Sequence, residues 1–177
     1  MKKVFLITFF LFSSFKVYSL EVTLTQGSVK PTPIAVTELY SKNSQLTKVG
    51  KNISTVISDN LERSGLFLPI DQRSFIQDNE SLANKPRFED WKLIKAQHLV
   101  SGKISTSNGK ISVEFRLFDV FQQKQIVGKK YETNEKNWRR VAHIISDSIF
   151  KNITGEGGYF DTRIVYVAET GPKENKQ

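Results

Sequence analysis

Between Asn137 and Thr154 the apolar residues keep the period of a helix with one buried face. Trp138, Val141, Ala142, Ile145, Ile149 and Ile153 recur at spacings of three and four. Asn137 can cap the start, because its side-chain oxygen can accept from a first-turn amide that has no partner within the helix. Gly155, Gly157 and Gly158 end it, since glycine reaches the left-handed conformation common at helix exits. A fresh strand, Thr162 to Ala168, follows. A helix that closes one unit and a strand that opens another mark a domain border.

Read from the other end, Leu20 to Thr25 alternates apolar Leu20, Val22 and Leu24 with Glu21, Thr23 and Thr25, a strand pattern. Gly27 to Pro33 is a turn-prone connector, and Ile34 to Leu39 a second short strand. Leu46, Val49, Ile53, Val56, Ile57 and Leu61 then share one face of a long helix, with Arg63 near its negative end and Gly65 closing it. Leu66 to Ile70, broken by Pro69, reads as a strand at a sheet edge. Asp71 to Pro86 is polar and irregular, which predicts a surface loop, and Phe88 to Gln97 a shorter helix.

His98 to Thr106 and Lys110 to Val120 flank Ser107-Asn108-Gly109. Asn-Gly between two β-rich runs is a strong hairpin signal. In the second run Ile111, Val113, Phe115 and Leu117 face one way, and Ser112, Glu114 and Arg116 the other, as in a sheet covered on one side. Gln125 to Thr133 completes a three-stranded meander. The prediction is an α+β, two-layer domain over residues 20–158, its mixed, largely antiparallel sheet covered by helices on one face.

The amino terminus changes this picture. Lys2 and Lys3 precede the apolar run Val4 to Phe12, and Val17-Tyr18-Ser19 has the small or branched residues of a cleavage site. Residues 1–19 therefore read as a secretory signal, with Leu20 as the mature terminus; a signal anchor is the alternative, although the run is short for a membrane span. Removing Lys2, Lys3 and Lys16 lowers the net charge from +8 to +5, and the remaining lysines are scattered. Scattered basic residues in an exported chain do not point to nucleic acid. There is no cysteine, which excludes disulfides, a thiol nucleophile, a zinc–thiolate site and a lipidated cysteine.

Candidate chemistry adds little. His98 and His143 are the only histidines, and they lack metal-binding spacing. Ser107-Asn108-Gly109-Lys110 matches a serine-x-x-lysine pattern, but falls in a hairpin turn rather than at a helix start. Glu89 with Asp90 fits a helix start, and Glu114 with Asp119 a wet strand face; Trp91 and Trp138 read as core. No catalytic, cofactor or metal site is expected.

Several stretches together resemble the TolB family, periplasmic components of the Tol–Pal envelope system of Gram-negative bacteria. They are Leu20-Glu21-Val22-Thr23-Leu24, Asn60 to Phe67 with Pro69-Ile70-Asp71, and His98 to Gly102. Phe115 to Asp119, Trp138 to His143, Ile149 to Gly155 and Gly158 to Val167 complete the match. The resemblance implies an amino-terminal α/β domain followed by a six-bladed propeller. It implies that the propeller engages the lipoprotein Pal, and that the mature amino-terminal segment binds TolA, in support of outer-membrane integrity and invagination during division. The residues implied for TolA are Leu20, Glu21, Val22, Thr23, Leu24, Thr25, Gln26 and Gly27. A blade takes ~40–45 residues, so six need roughly 250 more than are present. Residues 159–177 would then be the first strand of a truncated propeller and its tail, in a fragment or a truncated gene product whose Pal platform is missing. An exported envelope hydrolase and a peptidoglycan-binding domain are the competing readings.

Overall fold

In the computed structural model, residues 30–162 are described. The signal segment, the strand Leu20 to Thr25 and, after Thr162, the propeller-like strand lie outside them. In chain order the strands are β1 (Thr32–Val36), β2 (Phe67–Pro69), β3 (His98–Ser107), β4 (Lys110–Asp119) and β5 (Lys124–Thr133). Helix α1 (Ser44–Arg63) lies between β1 and β2, α2 (Asn79–Asn84) and α3 (Phe88–Leu93) between β2 and β3, and α4 (Trp138–Thr154) follows β5.

The strands form one mixed sheet in the order β2-β1-β3-β4-β5. β1 runs parallel to both β2 and β3, while β3–β4 and β4–β5 are antiparallel. The first strand begins earlier than its apolar run foretold, taking in Pro33. Proline is tolerated there because its carbonyl accepts from the Gln97 amide at 3.0 Å, just before β3 begins, and no ladder donor is needed on that side. β2 is at the edge, where Pro69 placed it.

The hairpin sits where Asn-Gly put it. Ser107 pairs with Lys110 across a two-residue turn, and Asn108 and Gly109 take φ of 49° and 71°, the double left-handed geometry that matches strand twist. One face of the sheet presents Ile34, Val36, Val100, Ile104, Phe115 and Leu117 to α1 and α4, which answer with Ile53, Ile57, Leu61, Ile145 and Ile149. Each such side chain, fully buried, contributes about 1.5–3 kcal/mol of transfer free energy. This is the expected two-layer core.

The opposite face differs from expectation. The predicted loop, Asp71 to Pro86, holds a 3-10 turn (Gln72–Ser74) and α2, and together with α3 it covers the sheet near the start of β3. Leu82, Trp91, Ala96, Ala35, Leu99 and Phe118 form a second, smaller core there. Gln77 organises it. Buried, its Oε1 accepts from the Arg87 amide at 2.8 Å and the Trp91 indole at 3.2 Å, while its Nε2 donates to the Lys85 carbonyl at 2.8 Å. Ser112, read as wet, is buried too. Helix α3 is shorter than predicted; Leu93 is 73% exposed, while Ile94, just after it, packs against this second core.

Two details of α4 also change. Asn137 makes no capping hydrogen bond, because at φ −99°, ψ 11° it continues a 3-10 turn (Glu135–Asn137) instead of holding the extended conformation of a cap. Trp138 is only half-buried at the rim, with the Arg139 guanidinium 4.8 Å from its ring centre. At the other end Gly155 does close the helix, with φ 81°.

Candidate interaction site

The residues singled out for partner binding, Leu20 to Gly27, precede the described region; their point of attachment is within it. The chain enters at exposed Lys30 and runs directly into β1, where the Thr32 amide donates to the Leu66 carbonyl at 2.9 Å. β1 is hydrogen-bonded on both sides and fully buried from Ile34 to Val36. Whatever force acts on the segment before Lys30 is therefore delivered to an interior strand of the sheet.

Beside that entry are β3's first residue, His98, and its cross-strand partner Asp119. His98 is buried, and its Nδ1 has no hydrogen-bond partner. Burial holds its pKa below the usual histidine value, with the Asp119 charge opposing the shift. His143 is elsewhere, on α4: its Nδ1 is 2.9 Å from the Asn60 amide nitrogen, which also donates to Ser146 Oγ at 3.0 Å. Asn60 thus ties α1 to α4. His143 is thus engaged by Asn60, and the Ser107–Lys110 stretch makes the hairpin turn. Among the described residues no group of three or more His, Asp or Glu could hold a metal ion.

Two of the grooves among the described residues lie near the ends of β1 and α4. One, of ≈ 480 Å³, lies where β3 outruns β1, between Tyr40, Lys103, Thr106 and Glu114 on one side and Glu80 and Asn84 of α2 on the other. Tyr40 Oη donates to Glu80 Oε1 at 2.7 Å, and this bond to a carboxylate holds the phenol's pKa up. The other, of ≈ 700 Å³, is lined by Val49, Asn134, Glu135, Lys136 and Trp138. β5 is paired on one side only, and Lys124, Lys129 and Lys130 along it are the charged side chains that discourage unwanted strand pairing at an edge.

The far end of the domain is organised by Asp147, a residue that the sequence pattern did not single out. After Gly155 the chain doubles back along α4. Asp147 accepts the amides of Phe160 and Asp161, and Arg140 pairs with Asp161. A lone, partly buried aspartate on a helix carries no periodic signal, although the Gly155-Glu156-Gly157-Gly158 run marks the turn beside it.

Against known proteins, the model of the TolB amino-terminal domain matches residues 20–126. The chain is 48% identical over 157 residues to the Tol-Pal system protein TolB of Paramagnetospirillum magneticum, covering 88% of this chain and 35% of that protein. It is 43% identical over 182 residues to the namesake from Pelagibacter ubique, covering 97% of this chain and 41% of that protein. The chain thus spans well under half the length of these relatives. The crystal structure of TolB from Acinetobacter baumannii superposes with a TM-score of 0.63 at 21% identity, over 75% of this chain and 30% of that one, a likeness of fold. With more than half of its length matched by the domain model and close identity to two relatives across nearly all of it, the chain belongs to the TolB family.

Proposed function

We propose that the chain is the amino-terminal part of a periplasmic adaptor in a Tol–Pal-like envelope system, exported by a signal cleaved after Ser19. The observation that carries this reading is the family match, which begins at Leu20, the expected first residue of the mature chain. The relatives are named as Tol-Pal system proteins, which supports the placement in such a system. In this role the segment Leu20 to Gly27 binds TolA by adding as a strand. Backbone pairing supplies affinity, and the alternating Leu20, Val22 and Leu24 supply selectivity. The outcome is support of outer-membrane integrity and of invagination during division. The family resemblance assigns Pal to the propeller, which the polypeptide would enter at about Thr162. The protein acts by binding and not by catalysis.

The test is deletion of Leu20 to Gly27 followed by calorimetry against the periplasmic domain of the cognate TolA. Binding should vanish while the melting transition of the domain is kept, because β1 and the core begin after the deletion. Unchanged affinity would remove the segment from the interface. Turnover of muropeptides by the purified protein would favour the hydrolase reading, and salt-sensitive retention on peptidoglycan the envelope-binding one.

A further inference from the structure

Helix α4 does not release the chain into solvent. At Gly155 the backbone turns through a left-handed residue, and the next six residues run back along the helix. Asp147 receives them. Its Oδ1 accepts the Phe160 amide at 2.7 Å and its Oδ2 the Asp161 amide at 3.0 Å, so one carboxylate holds two successive backbone groups through charge-assisted bonds. Arg140, seven residues earlier and on the same helical face, reaches Asp161 at 3.3 Å. Phe160 and Tyr159 set their rings 5.8 and 5.6 Å from that of Phe150, which is buried and itself 6.2 Å from Phe67 of β2.

Gly158 makes this approach possible. A Cβ there would come within 2.5 Å of the Asp147 Cα and 2.6 Å of its Cβ, closer than any real side chain could sit. Gly157, by contrast, faces open space. One glycine is thus required by contact, while Gly155 and Gly157 are positions where the backbone can swing. Three kinds of interaction converge on three residues of the strap: amide to carboxylate, ion pair and aromatic edge. Against them stand two glycines that would otherwise leave the exit free.

We propose that Asp147 and Gly158 form a latch that fixes the direction in which the polypeptide leaves this domain, with Gly155 and Gly157 as the hinge on which it opens. Latched, the chain leaves pointing back along α4. Released, the exit pivots about the glycines while the core of α4 stays intact. In a polypeptide that continues beyond the latch, the same contacts set the orientation of whatever follows. Asp147 is a positioning residue: it acts by holding backbone. The inference stands apart from the TolA reading, since it concerns the opposite end of the domain and neither depends on the other.

Amide hydrogen exchange by NMR on the full chain tests it. The Phe160 and Asp161 amides should exchange at least about tenfold more slowly than in an unstructured chain, while Gly157 exchanges freely. Asp147→Ala should abolish that protection and leave the Ile145 and Ile149 amides unchanged. Asp147→Asn, which keeps one acceptor oxygen, should lose part of it. Gly158→Ala alters the strap alone and should release the same two amides, so it decides the matter if Asp147→Ala fails to fold. Fast exchange at Phe160 and Asp161 in the wild type would overturn the latch, as would protection that survives both Asp147→Ala and Gly158→Ala.

Discussion

Two tryptophans read alike in the sequence and differ in the fold. Trp91 is 1% exposed and its indole donates to Gln77, whereas Trp138 lies at the rim beneath the Arg139 guanidinium. Helical period places both on an inward face; it does not say how far the neighbouring layer extends. Trp91→Ala should therefore cost ~3–5 kcal/mol in urea unfolding, and Trp138→Ala roughly half as much. A cost for Trp91→Ala no greater than that for Trp138→Ala would contradict the deeper burial of Trp91. His98 makes a prediction of opposite character. Because its pKa is depressed in the folded state, the unfolded chain binds the proton more readily. Its contribution is intact above the ordinary histidine value of about 6.5 and is lost as pH falls through that value towards the depressed one. Stability measured from about pH 7.5 down to about pH 5 should decline, and His98→Gln should flatten that part of the decline.

Among the elements, those with long periodic patterns or defined turn chemistry were legible. The α1 stripe from Leu46 to Leu61, the Asn108-Gly109 turn and the Gly155 stop all stand where the residues put them. What escaped was short or held by polar contacts. α2 and α3 have six residues each, less than two turns, too few for a period to show. Their order comes from Gln77, a polar residue whose burial no pattern foretells. Asn137 misled because an asparagine before an apolar stripe looks the same whether it caps a helix or sits in a 3-10 turn. Two glycines of the β3–β4 hairpin give an element-scale test. Gly109→Ala forces a side chain into left-handed backbone and should cost about 1–2 kcal/mol. Gly102→Ala puts a methyl against the Glu114 carbonyl and within 2.8 Å of Leu39 Cδ2, so it should cost more, with expanded packing between β3 and β4. Equal urea midpoints for the two variants would contradict the close approach.

For the described residues as a whole, the two flanks join one sheet-and-helix body in different ways. The amino-terminal segment feeds an interior strand, and the carboxy-terminal strap folds back on α4. The candidate TolA segment was legible only through family resemblance: six alternating residues announce a strand but not its partner. Its claim is also the central one, and NMR titration of the isotope-labelled chain beginning at Leu20 with the periplasmic domain of the cognate TolA tests it most directly. The expected result is large shifts at the amides of Leu20 to Gly27, with those of β3, β4 and α4 left in place. Shifts centred on the β5 edge or the grooves beside Tyr40 and Trp138, with Leu20 to Gly27 unmoved, would contradict it.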